Sequence, residues 1–69
     1  MDFGDQLRAM RSLRDVSQIE LAKRVGVHST YISLLERKQA LPTPETRERI
    51  MRALDWPEEA ERAFAILKS

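Results

Sequence analysis

The segment over residues 17–37 constrains the fold of this chain more than any other feature of the sequence. Ser17 followed by Glu20 forms a capping box, a pattern that starts a helix by satisfying free backbone N–H groups. Gly26 ends that helix, because glycine readily accepts the left-handed conformation that closes many helices. Only two residues then precede a further helix that begins near Ser29. Two short helices joined by so short a turn must cross at a steep angle.

The rest of the chain also follows a helical period. It predicts a first helix over about residues 3–14, a fourth helix with Thr43 as N-cap and Pro44 at its first position, and a fifth helix opened by Pro57. The apolar stripes of these helices contain Leu7 and Met10 in the first, Ile50, Met51 and Leu54 in the fourth, and Ala60, Phe64 and Leu67 in the fifth. The sequence therefore predicts an all-α fold, a compact five-helix bundle that forms a single domain over residues 1–69.

Charge is distributed unevenly along the chain. The net charge is +1, from 12 basic and 11 acidic residues. Residues 1–40 contain seven Lys or Arg against five Asp or Glu, whereas residues 41–69 contain five against six. The N-terminal part is therefore the better candidate for contact with an anionic partner.

Composition excludes several classes of protein. The chain has no cysteine, so it has neither disulfides nor thiolate metal sites, which fits a cytoplasmic protein. Its acidic N-terminus lacks the features of a signal peptide, and no apolar run approaches the roughly 20 residues that span a bilayer. With His28 as the single histidine and no glycine-rich loop, we expect no enzyme activity, no metal, no cofactor and no small-molecule ligand.

The third helix has an outer face suited to nucleic acid. Ile32 and Leu35 bring this helix onto the second one. The residues that remain outside are Ser29, Thr30, Ser33 and Leu34. A helix fits the major groove of B-form DNA, where hydroxyls can meet base edges and aliphatic carbons can meet thymine methyls. The alternative is that Ser29 or Thr30 only caps the helix.

Several spacings together resemble the helix-turn-helix of the lambda-repressor/Cro family, also called the XRE family. The matching runs are LRAMR at residues 7–11, SQIELA at 17–22, VGV at 25–27, YISLLER at 31–37, and the stretch from Pro42 to Leu54. The resemblance covers about residues 3–55. The run TYIS followed by ER is particularly similar to controller proteins of restriction–modification systems and to small phage-like repressors.

The resemblance implies a role for each matching residue. It implies that Gln18 holds a backbone phosphate, that Ser29 and Thr30 read bases, and that Arg11 and Glu36 form a partly buried ion pair. The other positions that it places near DNA are Tyr31, Ser33 and Leu34 on the helix and Arg37, Lys38 and Gln39 in the loop after it. His28 is expected to lie in the turn near phosphate. Asp15 and Lys38 depart from the family, because many members have glycine at both positions.

The C-terminal residues 57–69 predict a dimerisation helix. Residues 63–67 are apolar around more of the helix than one core-facing stripe requires. An apolar surface of this kind often marks an interaction site. The predicted dimer interface contains Trp56, Ala63, Ile66 and Leu67.

The sequence therefore predicts a regulator of transcription that binds double-stranded operator DNA as a homodimer in the cytoplasm. Two alternatives use the same helices. An antitoxin of a toxin–antitoxin pair would add a protein partner to the DNA-binding motif. A protein-interaction module would present a groove to another protein. A basic face at residues 18–39 would favour DNA, whereas an acidic or apolar face there would favour the interaction module.

Overall fold

The computed structural model describes residues 2–56, and this part of the chain contains four helices. They are α1 (Phe3–Arg14), α2 (Gln18–Val25), α3 (Ser29–Glu36) and α4 (Pro44–Ala53). No strand occurs among these residues, so the predicted all-α class is confirmed. The count of five is not matched, because the described residues contain four helices. The predicted fifth helix over residues 57–69 lies outside them.

Side-chain caps begin two of the helices where the sequence predicts them. The Ser17 hydroxyl oxygen accepts a hydrogen bond of 3.0 Å from the Glu20 amide, and Thr43 accepts one of 3.1 Å from Thr46. The second half of the predicted capping box is absent, because the Glu20 carboxylate instead pairs at 3.0 Å with Arg24, one turn further along α2.

Each helix is followed by a residue in the left-handed conformation. These residues are Asp15 with φ 55°, Gly26 with φ 83°, Lys38 with φ 63° and Asp55 with φ 49°. In every case the next amide reaches back five residues to a helix carbonyl, as Val27 does to Ala22 at 3.0 Å. The same backbone turn thus closes all four helices, although only Gly26 has no Cβ to resist it.

The core lies where α2 packs against α3 and α4, and where α1 packs against α3. The side chains that are almost completely buried are Leu7, Met10, Leu21, Ile32, Leu35, Ile50 and Leu54. Every helix contributes to this cluster, so the second and third helices are held by the whole described domain. That support fixes the outer surface of α3 relative to α1 and α2.

Gly4 permits the close approach of α1 to the end of α3. A Cβ built at Gly4 would overlap the carbonyl oxygen of Leu35 and would lie 3.1 Å from that of Glu36. Gly4 is buried within α1 despite the low helix propensity of glycine. The requirement is therefore one of space rather than of backbone conformation.

Trp56 packs inside the described domain and is not left over at its surface. Its ring stacks on Phe3 with centroids 5.8 Å apart and planes 5° apart, and the residue is 8% exposed. Arg47 lies on the Phe3 ring as well, with its guanidinium carbon 5.5 Å from the ring centroid. Little of the Trp56 surface is therefore left for a partner chain, and its place in the dimer interface stays a prediction. Ala63, Ile66 and Leu67 lie outside the described residues.

Arginines of α1 and α2 bind the carbonyl groups at the end of α4. Arg14 donates hydrogen bonds to the carbonyls of Leu54 at 2.9 Å and Asp55 at 2.7 Å. Arg24 adds a longer bond of 3.4 Å to Ala53. The last carbonyls of a helix lack partners within the helix and carry partial negative charge, so cations stabilise them.

Candidate nucleic-acid interface

The turn between α2 and α3 is built from one glycine and one apolar residue. The Gly26 amide donates to the Ala22 carbonyl at 2.8 Å, and the Val27 amide donates to the same oxygen at 3.0 Å. Val27 then packs against the core cluster. α3 begins two residues later at Ser29, so the predicted pair of short helices and its short turn are present.

Opposite faces of α3 have different surroundings. Ile32, Leu35 and Glu36 are buried, whereas Thr30 and Arg37 are exposed. Ser29, Ser33 and Leu34 are partly buried. The four outer residues of α3 named from the sequence therefore retain surface that can meet a partner.

His28, not Ser29 or Thr30, stands at the N-cap of α3. Its side chain is exposed and makes no capping hydrogen bond. The alternative that one of the two hydroxyls caps the helix therefore does not hold in this structure. Tyr31 lies on the side of the helix and packs against the core, half-buried. The base-contact and phosphate-contact roles of all these residues stay predictions.

Glu36 is a buried carboxylate at the junction of α1, α2 and α3. Its side chain is 1% exposed. Arg11 binds it through two hydrogen bonds, from Nε to Oε2 at 2.6 Å and from Nη2 to Oε1 at 3.0 Å. The remaining Arg11 nitrogen, Nη1, donates to the Val16 carbonyl at 2.9 Å. The structure thus brings Arg11 and Glu36 together in a bidentate ion pair, and Arg11 also binds Val16, the second residue after α1.

The same carboxylate holds Gln18. The side-chain amide of Gln18 donates through Nε2 to Glu36 Oε1 at 3.1 Å. An amide nitrogen has two N–H donors, so one remains for another acceptor. The sequence does not predict this hydrogen bond, because Gln18 and Glu36 are 18 residues apart in the chain and no local pattern connects them.

Burial and hydrogen bonding act in opposite directions on Glu36. Burial raises the pKa of its carboxyl, but the hydrogen bonds from Arg11 and Gln18 and the positive charges of Arg11 and Arg8 together outweigh burial and hold that pKa below its ordinary value. The hydrogen bond to Glu36 in turn raises the pKa of Arg11 above its ordinary value. Both groups are therefore charged near neutral pH, and the pair positions α2 against α1 and α3.

The two basic residues after α3, Arg37 and Lys38, have different surroundings. The Lys38 ammonium lies 3.1 Å from a carboxylate oxygen of Asp5 and 3.4 Å from one of Asp2, both near the start of α1. Its hydrogen bonds to Asp5 and Asp2 raise the pKa of Lys38. Arg37 and Gln39 are exposed. Lys38, a predicted phosphate contact, is thus placed on two carboxylates in this structure.

In the part of the chain over residues 2–56, no group of acidic or histidine side chains is arranged to hold a metal ion. None of its helices combines the length and the apolar character that crossing a membrane requires. A groove of about 530 Å³ lies beside the start of α2, and its lining mixes Arg8 and Arg11 with Asp15 and Glu20.

Comparison with known proteins agrees with this geometry. A family model described as a helix-turn-helix domain matches residues 2–64. The HTH-type transcriptional repressor RghR of Bacillus subtilis (strain 168) is 40% identical over 58 residues, which are 83% of this chain and 43% of that protein. Antitoxin HigA1 from two strains of Mycobacterium tuberculosis is 41% identical over 51 residues, which are 74% of this chain and 34% of that protein.

The chain therefore spans less than half the length of each of these curated relatives. The family match, by contrast, includes all of α1 to α4 and most of the chain. The chain belongs to the helix-turn-helix domain family, and its helix-turn-helix, formed by α2 and α3, is of the lambda-repressor/Cro type that its sequence resembles.

Proposed function

We propose that this chain regulates transcription by binding a specific double-stranded operator, and that α3 enters the major groove. The observation that carries the proposal is the orientation of α3, whose buried side holds Ile32 and Leu35 while Thr30 is exposed; Arg37, directly after the helix, is exposed as well. A helix supported on one side by a packed domain and polar on the other fits the groove as a rigid reader. The 40% identity to a protein named as a transcriptional repressor supports the same function.

The proposed division of labour follows from side-chain chemistry. Ser29, Thr30 and Ser33 offer hydroxyls to base edges, and Leu34 offers methyl groups to thymine. Gln18 offers its second N–H to a phosphate oxygen, as the resemblance implies. Contacts to phosphate position the helix, and contacts to base edges determine which sequence is bound.

Arg37 is the proposed cation of the loop. It is exposed just after α3, whereas the Lys38 ammonium is bound to Asp2 and Asp5. We therefore assign the phosphate contact of this loop first to Arg37. His28, Tyr31 and Gln39 are proposed as flanking contacts. The proposed activity is DNA binding, with neither catalysis nor a cofactor. It takes place in the cytoplasm, the compartment that holds the DNA.

The protein is proposed to act as a homodimer. The apolar run at residues 63–67, which includes Ala63 and Ile66, supports this proposal from the sequence. A two-fold dimer places two recognition helices about one turn of DNA apart, roughly 34–36 Å, and reads an inverted repeat. The paired contacts raise affinity because the second half-site binds at high local concentration.

A second candidate function is that of an antitoxin. The specific observation in its favour is the 41% identity to antitoxin HigA1, over 74% of this chain. An antitoxin would use the same α3 surface for DNA and a different surface for a protein partner. Co-expression with the product of an adjacent gene distinguishes the two functions, because an antitoxin co-purifies with that product.

The proposal is tested by selecting bound duplexes from a pool of random DNA. We expect enrichment of one sequence motif arranged as an inverted repeat. Enrichment of a single half-site would support DNA reading but contradict the dimer. Recovery of no motif, with all duplexes bound alike, would contradict sequence-specific regulation.

A further inference from the structure

The side chains of Arg8 and Gln18 approach the same carboxylate oxygen of Glu36. Arg8 Nε is 3.7 Å from Glu36 Oε1, the oxygen that accepts the 3.1 Å hydrogen bond from Gln18. Arg8 belongs to α1 and Gln18 is the first residue of α2, so the two side chains come from different helices and meet at the same corner. The sequence assigns Arg8 no role.

Arg8 and Arg11 are placed very differently around Glu36. The Arg11 side chain is 18% exposed, and its three guanidinium nitrogens all donate to protein oxygens. The Arg8 side chain is 64% exposed, and its contact with Glu36 is longer than a hydrogen bond. Arg11 is therefore committed to the fold, whereas the guanidinium of Arg8 retains N–H donors toward solvent.

Two arginines contact the single Glu36 carboxylate, whereas Asp15 and Glu20, the latter paired with Arg24, line the wider groove. Arg11 compensates Glu36 in a bidentate pair, so the positive charge of Arg8 is additional. That charge stands next to the amide that the proposed function assigns to a backbone phosphate. A guanidinium beside a neutral amide donor matches a phosphodiester, because the cation neutralises the phosphate while both groups donate hydrogen bonds to its oxygens.

We propose that Arg8 forms, with Gln18, a two-residue site for one DNA backbone phosphate at the corner of α1 and α2. The inference rests on the proposed function and adds a cationic contact from α1 to it. The buried Glu36 holds Gln18 firmly and Arg8 loosely, so Arg8 can swing from the carboxylate to the phosphate when DNA arrives. Gln18 fixes the position of the phosphate, and Arg8 supplies the charge.

The two residues have different signatures in salt. Only a cation releases counterions when it meets a phosphate, and each neutralised phosphate steepens the fall of log affinity with log salt by about 0.9. Arg8→Gln should therefore flatten this slope by about 0.9 for each bound protomer. Over a fourfold rise in salt, the parent should lose about 3.5-fold more affinity per protomer than the variant. Gln18→Ala should weaken binding without changing the slope.

The test is fluorescence anisotropy of a labelled duplex of random sequence at several salt concentrations. Arg8→Lys keeps the charge and should keep the parent's slope. Arg52→Gln is the matched control, because Arg52 is an exposed arginine near the end of α4 that also contacts a glutamate, Glu48. It removes the same charge from the protein and should leave the slope unchanged. Thermal unfolding should be nearly the same for Arg8→Gln and the parent, because the side chain is mostly exposed.

Two results would overturn the assignment of Arg8. In the first, Arg8→Gln keeps the parent's slope of log affinity against log salt. In the second, Arg52→Gln flattens that slope as much as Arg8→Gln does, so the effect is one of net charge alone. In both cases the parent still binds DNA, and the proposed function stands. A parent that does not bind the duplex at low salt contradicts the proposed function and the Arg8 site together.

Discussion

Replacing Arg11 with alanine removes the main partner of a buried carboxylate. Glu36 would keep one hydrogen bond, from Gln18, with a side chain that is 1% exposed in the parent. Breaking a buried ion pair costs about 3–5 kcal/mol. We expect the lower end, about 3 kcal/mol at neutral pH, because Arg11 is 18% exposed and Arg8 can approach from 3.7 Å. For a domain of this size such a loss lowers the unfolding temperature by about 12–24 °C.

The loss of stability should depend on pH with a defined sign. In the parent the pKa of Glu36 is below its ordinary value, so the stabilisation by the pair is complete above the ordinary glutamate pKa of about 4.3. It is lost as pH falls through the lowered pKa of the folded state. In Arg11→Ala burial dominates and should raise the pKa of Glu36 instead. Protonation then favours the folded variant, so its deficit relative to the parent should shrink toward about pH 4.

Urea unfolding followed by far-UV circular dichroism, at neutral pH and in mild acid, measures both quantities. Glu36→Gln in the Arg11→Ala background is the control, because a neutral amide is buried at lower cost than an unpaired carboxylate. It should recover part of the lost free energy at neutral pH and little in acid. Two results would contradict this role of the ion pair. The Arg11→Ala variant could unfold at the parent's urea midpoint, or its loss of unfolding free energy could be the same at both pH values.

Three further predictions concern packing, backbone strain and assembly. Gly4→Ala should destabilise the fold by about 1–3 kcal/mol in thermal unfolding, because the new Cβ meets the Leu35 carbonyl, and an unchanged midpoint would show that α1 can move away. Lys38→Gly should stabilise the fold by about 1 kcal/mol, because glycine removes the strain of φ 63°. The ion pairs of Lys38 with Asp2 and Asp5 are exposed, so their loss costs little, and a lower midpoint would contradict this prediction. In sedimentation, the parent should be a dimer and Ile66→Glu a folded monomer, whereas a monomeric parent at tens of micromolar (roughly) would contradict the dimer.

Local patterns predicted the helices because their signals are local. The capping residues Ser17 and Thr43, the terminating Gly26 and the apolar period predicted the bounds of α1 and α2 and the start of α4, as the structure has them. The sequence predicts an end of the third helix near Arg37 and Lys38, and α3 ends slightly earlier, at Glu36. These elements depend on residues within one or two turns, so neighbouring letters of the sequence contain the necessary information.

The contacts between helices could not be predicted in the same way. Gly4 is required by a carbonyl that is distant in the chain, and Trp56 is buried by Phe3 from the opposite end of the described domain. Lys38 reaches the carboxylates of Asp2 and Asp5 only because α1 and α3 pack together. A period of 3.6 residues shows which side of a helix is inward, but not which distant residue lies opposite.

The outer face of α3 is proposed to recognise the base sequence of the operator. Comparing the affinities for operator and random DNA tests this proposal. The ratio of affinities for the selected operator and for random DNA is measured by mobility shift for the parent, the double variant Ser29→Ala/Thr30→Ala, and Gln18→Ala. The double variant should lose discrimination between the two DNAs, by about 1–3 kcal/mol for each base contact removed. Gln18→Ala should weaken binding to both DNAs alike and keep the ratio. Unchanged discrimination in the double variant would contradict the claim that these α3 residues read the bases.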